Sequence, residues 1–151
     1  MHPFDSANSA VCDAAELMPI MVAVVDRDLR YLYVNRLYAS YFGLTPAEFD
    51  GKAVGDIVRL ADDFYTDEAR FRAVRHCIDS GGEVEMIARV HRHEGDMRKL
   101  LTTLVGDSRL GVCYAYVNDV TAPDAASELL ECELVRRLAG PCPAASSAGS
   151  L

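Results

Sequence analysis

No uninterrupted apolar stretch in this 151-residue chain approaches the ~18 residues of a membrane span, although half of its residues are apolar. The opening MHPFDSANSA has no basic segment running into an apolar one, so it does not read as a secretory signal. Positive charge is scarce: 15 basic residues face 23 acidic ones for a formal charge of −8. Arg and Lys form no stripe, which argues against binding a phosphate backbone. Cys12, Cys77, Cys113, Cys132 and Cys142 make no CxxC pair. An odd number of cysteines without a signal points to reduced thiols with structural or incidental roles. A nucleophile elbow, a phosphate loop, a zinc-protease helix and a kinase signature are all missing, so no catalytic residue is assigned. These absences leave a cytoplasmic, non-enzymatic protein with no membrane and no direct nucleic-acid partner. The length suits one domain with one proper core.

What is present is organised around Ile20 to Phe42, IMVAVVDRDLRYLYVNRLYASYF. The apolar run Ile20 to Val25, the turn Asp26-Arg27-Asp28-Leu29 and the alternating run Arg30 to Val34 predict two strands and a tight connection. Asn35 stands where an N-cap belongs, just ahead of a helix carrying Leu37, Tyr38, Tyr41 and Phe42. Before this hairpin, Ala7, Ala10, Val11, Ala14 and Leu17 follow helical spacing, and Pro19 closes the segment. That amphipathic helix, within residues 1–18, is either a lid on the domain's own sheet or a dimer contact.

Downstream, Thr45-Pro46-Ala47-Glu48 is a capping box that opens a short helix ended by Gly51. Lys52 to Leu60 reads as another helical turn or two. Asp62 to Ser80 reads as a longer helix with Phe64, Phe71, Val74 and Ile78 on one face, stopped by Gly81-Gly82. Glu83 to His93 alternates, placing Val84, Met86, Ala88 and Val90 on the core side. Glu94-Gly95-Asp96 turns, Met97 to Val105 returns, Gly106-Asp107-Ser108 turns again, and Leu110 to Val120 is the last strand. Two strands, helices, then three strands without a βαβ repeat predict an α+β domain on a five-stranded antiparallel sheet.

Asp26-x-Asp28-x-x-Tyr31-x-Tyr33-Val34-Asn35, followed by a helix ending Tyr41-Phe42-Gly43-Leu44, resembles the opening of a PAS sensory domain, and the later element order is the same over about residues 19–122. That family usually has glycine where this chain has Leu29 and isoleucine where it has Tyr31, so Asp28 is expected to take the left-handed position of the turn. Asp119-Val120-Thr121 is similar to the Asp-Ile-Thr motif from which PAS domains hand a signal to an exit helix. Here that helix is expected over 123–139, with Thr121 as cap, and residues 140–151 read as a tail or linker stump. The resemblance implies a sensory module whose effector domain or partner protein lies outside this chain, and a homodimer.

The cavity under such a sheet would be framed by aromatics. Tyr33, Tyr38, Tyr41, Phe42, Phe64, Phe71, Tyr114 and Tyr116, with Val74, Met86 and Ala88, are the candidate ligand-binding residues, and Asp119 and Thr121 the signal-transfer pair. Expected cofactors are none, or an unknown small and largely apolar molecule. The photoactive flavin-binding relatives carry a reactive cysteine in a segment that here reads Gly51 to Val58, without a thiol. Haem-binding relatives place a histidine facing the pocket, whereas His76 lies about 200° round the helix from Ile78 at 100° per residue. His91 and His93 share a strand face but have no third ligand, so no metal is assigned. The alternative reading is a ligand-free docking and dimerisation module, with a haem- or flavin-binding sensor or a small enzyme ranked after it.

Overall fold

The computed structural model describes residues 9–61, 66–93 and 96–121. The expected exit helix at 123–139, the tail at 140–151 and Phe64 lie outside the described residues. An N-terminal helix α1 (Ser9–Glu16) leads into β1 (Met21–Asp26) and β2 (Tyr31–Val34). Helix α2 (Arg36–Tyr41), a 3-10 turn (Pro46–Phe49), helix α3 (Val54–Ile57), β3 (Arg59–Leu60) and helix α4 (Asp67–Ser80) follow. The hairpin strands β4 (Glu83–His93), β5 (Asp96–Asp107) and β6 (Val112–Asp119) complete the order. The six-stranded sheet runs β2-β1-β6-β5-β4-β3, antiparallel throughout.

The sixth strand corrects the expected five. Arg59 and Leu60 leave the helical turn of α3 and pair with His91 and Val90 on the far edge, where a reading of Lys52 to Leu60 as helix alone saw no strand. A two-residue strand has no periodicity of its own; its partner defines it. The β5–β6 turn also moves: Gly106 belongs to β5, opposite Cys113, and the connection forms around Asp107, whose carboxylate accepts from the backbone N–H groups of Arg109 and Leu110.

The hairpin β1–β2 is held by Asp26, whose Oδ1 accepts from the backbone N–H of Asp28 at 2.9 Å and of Arg30 at 3.0 Å. The left-handed residue is Leu29, at φ 54°, rather than Asp28. Leu29 is 6% exposed, so burial of its side chain holds it in a conformation that costs about 1–2 kcal/mol for a residue with a Cβ.

Asn35 caps α2 as its position predicts, and does more. Its Oδ1 accepts from Tyr38 N–H and from Val22 N–H, while its Nδ2 donates to the carbonyls of Ala15 and Ile20. One buried amide thus joins α1, β1 and α2. The longer helix α4 begins at Thr66, whose hydroxyl accepts from Ala69 N–H, with Asp67 and Glu68 favourably placed in the first turn. Gly81, at φ 68°, ends it.

Helices α2 and α4 cover one face of the sheet and enclose the main core, which includes Tyr31, Tyr38, Phe42, Phe49, Val74, Cys77, Ile78 and Leu104. On the other face α1 brings Cys12 onto Val24, Tyr33, Val112 and Tyr114. The N-terminal helix therefore serves as a lid on the domain's own sheet. The close approach of α4 depends on Gly106: a Cβ there would stand 1.8 Å from the Cys77 carbonyl oxygen.

Candidate functional site

A cavity of about 80 Å³ lies between the inner face of the sheet and α2, α3 and α4. Leu29 and Val54 close the end next to the hairpin, held together because Val54 N–H donates to the Leu29 carbonyl. Val74 reaches it from α4, Met86, Ala88 and Val90 from β4, Leu100, Thr102 and Leu104 from β5, and Ala115 and Val117 from β6. Among the described residues no carboxylate, histidine or thiol lines it. Among the described residues no group of three His, Cys, Asp or Glu side chains is placed to hold a metal ion.

Its polar wall consists of Tyr31, Tyr38, Arg70 and Thr102. The Tyr31 and Tyr38 hydroxyls share a hydrogen bond of 2.7 Å, and their rings stack edge to face, with Phe49 against both. Burial pushes both phenols up, Tyr38 to about 12, while the Arg70 charge pulls in the opposite direction. Both tyrosines stay neutral at physiological pH. Arg70 is 8% exposed; its Nη1 donates to the Val58 carbonyl at 3.0 Å and its Nη2 to Asp67 Oδ1 at 2.8 Å.

Of the candidate ligand-binding residues, Tyr38, Val74, Met86 and Ala88 line this cavity. Phe42 is buried against the Tyr38 ring, one layer behind the wall. Phe71 packs on the core edge under the Arg75 guanidinium. Tyr41 turns its hydroxyl to Asp119. Tyr33 and Tyr114 lie on the opposite face of the sheet, in the cluster under α1, and Tyr33 reaches the Cys12 carbonyl and the Glu16 carboxylate. Tyr116, two residues from Tyr114 along β6, shares that outward face, while Ala115 between them and Val117 after them point into the cavity instead. Every residue from Val112 to Val117 is apolar or aromatic, so alternation alone does not say which set faces inward.

Sequence reasoning missed Arg70, yet a signal existed. Arg70, Val74, Cys77 and Ile78 follow the i, i+4, i+7, i+8 stripe of one helix face, so the arginine sits on the buried side. His76 is exposed on the opposite side of α4, as the same spacing requires.

A second constellation sits at one end of the sheet. Asp119 Oδ2 accepts from the Tyr41 hydroxyl at 2.6 Å and from Arg98 Nε at 2.8 Å, while Oδ1 accepts from Thr121 N–H at 2.8 Å. Burial alone would raise this carboxyl, but the bonds from Tyr41, Arg98 and Thr121 outweigh it and hold it down at about 2. Thr121 Oγ1 accepts from Lys99 N–H at 2.7 Å, tying the end of β6 to β5. The Arg92 guanidinium lies 4.6 Å over the Tyr41 ring.

The sequence model described as PAS fold matches residues 15–125. No curated protein matches the chain. Among solved structures, the PAS domain of an HTR-like protein from Haloarcula marismortui superposes with a TM-score of 0.58 at 16% identity, over 78% of this chain and 94% of that one. The PAS domain of a LuxR-family transcriptional regulator from Burkholderia thailandensis, in complex with ethanol, gives 0.56 at 16%, over 73% and 96%. The Vibrio cholerae VqmA dimer gives 0.58 at 15%, over 74% of this chain and 51% of that one, so the chain spans about half the length of that receptor. At these identities the likeness is one of fold.

Proposed function

The chain belongs to the family of PAS-fold proteins, and we propose that within it this domain is a sensory module that takes a small, largely apolar molecule into the cavity beneath its sheet. The observation that carries this is a shared pair of elements. Helix α2 holds Tyr38 at the cavity wall and Tyr41 on Asp119; strand β6 holds Val117 at the wall and Asp119 itself two residues on. Anything that changes how Tyr38 and Val117 pack also strains the Tyr41–Asp119 bond, and Thr121 passes the change toward the segment that follows. The ethanol complex of the Burkholderia domain is consistent with a compact ligand.

In this proposal the output falls on an effector domain or partner protein outside the chain, in the cytoplasm, and no catalytic step is involved. Among the described residues no helix is long and apolar enough to cross a membrane. A second reading, docking to another copy of the chain, is favoured by the exposure of Leu17 at 85% and Leu37 at 48%. The VqmA neighbour is described as a dimer.

Native mass spectrometry of the purified chain, paired with amide hydrogen exchange, tests the first reading. A retained small molecule whose removal speeds exchange at Tyr41 and across 98–121 is the expected result. A bare dimer with unchanged exchange after exposure to small apolar probes would replace the sensor with the docking module.

A further inference from the structure

The Arg70 side chain is nine-tenths buried and forms part of the cavity wall, and of its three guanidinium nitrogens Nε has no hydrogen-bond partner among the described residues. The two terminal nitrogens each donate one bond, to the Val58 carbonyl and to Asp67, so the guanidinium is held in place while no described residue accepts from its Nε edge. A buried N–H of a charged group without an acceptor is costly and uncommon in folded proteins. The Asp67 side chain that balances the charge is 80% exposed, so solvent screens most of that balance and the buried end of the guanidinium keeps a positive field. Across the same cavity two tyrosine hydroxyls form a single mutual bond, which uses one of their two protons and leaves the other to donate. The polar wall is thus rich in donors, and the remaining surface formed by the described residues is aliphatic.

Resting on the reading of the cavity as a ligand site, we propose that its ligand is a short-chain aliphatic monocarboxylate whose carboxylate accepts from Arg70 Nε and whose hydrocarbon end lies against Val74, Met86 and Leu104. A carboxylate supplies acceptors only and carries the charge the guanidinium lacks in the interior. The size follows from the space: about 80 Å³ is roughly half of the ~150 Å³ cavity that admits benzene, which limits the ligand to a few carbons. Arg70 is accordingly a binding residue, and its hold on the Val58 carbonyl links occupancy of the cavity to the start of β3.

The test is an NMR titration of the full chain at neutral pH with sodium propanoate, propan-1-ol and xenon, reading the Val74 and Met86 methyls and the Arg70 Nε–H resonance. Propanoate is expected to move the methyls and the Nε–H together and to bind about tenfold or more tighter than propan-1-ol, since a hydrogen bond to a charged partner separates them. Arg70→Met, which keeps most of the stem volume, should abolish that preference while xenon still shifts the methyls. If propanoate shifts the methyls and leaves the Nε–H unmoved, or binds no better than the alcohol, the carboxylate assignment is overturned. Silence toward propanoate with a response to xenon or propan-1-ol overturns the assignment alone; silence toward all three overturns the ligand-site reading as well. The Nε–H signal is read in the unmodified chain, so the outcome does not depend on the variant folding.

Discussion

The Tyr41 hydroxyl donates to Asp119 Oδ2 at 2.6 Å across 78 residues of sequence, joining the helix that follows the first hairpin to the last residue of the last strand. Arg98 and the Thr121 N–H complete the shell of that carboxylate, so its charged form is strongly preferred in the folded chain. In the unfolded chain the same carboxyl titrates near its ordinary ~3.9. A native value of about 2 means that the folded state holds the proton less readily than the unfolded one. The stabilisation is complete above about pH 5 and is lost as the pH falls toward about 2, with a ceiling of about 3 kcal/mol. Urea unfolding of the wild type and Asp119→Asn should differ by roughly that amount at pH 6, and the gap should close near pH 2. A gap that stays constant with pH would show that Asp119 contributes packing and not charge.

Asn35→Ala removes the acceptor for Val22 and Tyr38 N–H and the donor to Ala15 and Ile20. Several of these groups are buried, so a loss of about 3 kcal/mol is expected. The characteristic result is faster amide exchange in Ser9–Glu16 before global unfolding, because Asn35 ties that helix to the sheet. Uniform acceleration throughout the domain would count against this tethering role.

Gly106→Ala should be among the most damaging small substitutions, since its Cβ would fall 1.8 Å from the Cys77 oxygen and 2.1 Å from the Cys77 carbonyl carbon, and backbone cannot rotate aside. Separation of α4 from the sheet costs about 3 kcal/mol or more. Gly51→Ala provides the contrast: at φ 74° with nothing within 4 Å, it carries only the left-handed penalty of about 1 kcal/mol. Thermal melts of the two variants should separate these terms.

Leu29→Gly sets two effects against each other. Glycine relieves about 1–2 kcal/mol of left-handed strain, but deleting a buried leucine that lines the cavity costs about 2–5 kcal/mol. The net expectation is destabilisation by about 2 kcal/mol, together with a larger cavity that admits a longer probe. A variant more stable than wild type would mean that the turn, not the side chain, dominates at this position.

Cys113 is fully buried beside the core, and burial pushes its thiol up to about 12 with Cys77 adding to the effect. It should resist alkylation by iodoacetamide at pH 8 in the native state and react only after unfolding. Mass mapping of the modified peptides reads this directly.

The local features of this domain were legible because each is written in neighbouring residues. An apolar run, a turn of Asp and Arg, an alternating run and an Asn followed by a helical stripe specify the β1–β2 hairpin and the α2 cap. The alternation of Val84, Met86, Ala88 and Val90 likewise marks the inner face of β4, because its other face is polar except for Ile87. The PAS resemblance drawn from Asp26 to Asn35 and from Asp119 to Thr121 led to the family by the same short-range patterns.

Where both faces of a strand are covered, that kind of signal disappears. In β6 the set Tyr114 and Tyr116 and the set Cys113, Ala115 and Val117 are both apolar enough to be inside, and only the docking of α1 on the outer face sends the tyrosines away from the cavity. Leu29 takes the turn position that glycine or aspartate suits better because the core gains a leucine there. Arg59 and Leu60 become a strand only because the edge of β4 not taken by β5 meets them at Val90 and His91. Arg70 is buried because Val58 and Asp67 converge on it from a loop and from its own helix. The sequence by itself determined the longer elements, their order and the family, since propensity and periodicity act over a few residues. The tertiary structure decided which faces turn inward and which polar groups go into the interior with them, since those outcomes depend on what covers each surface.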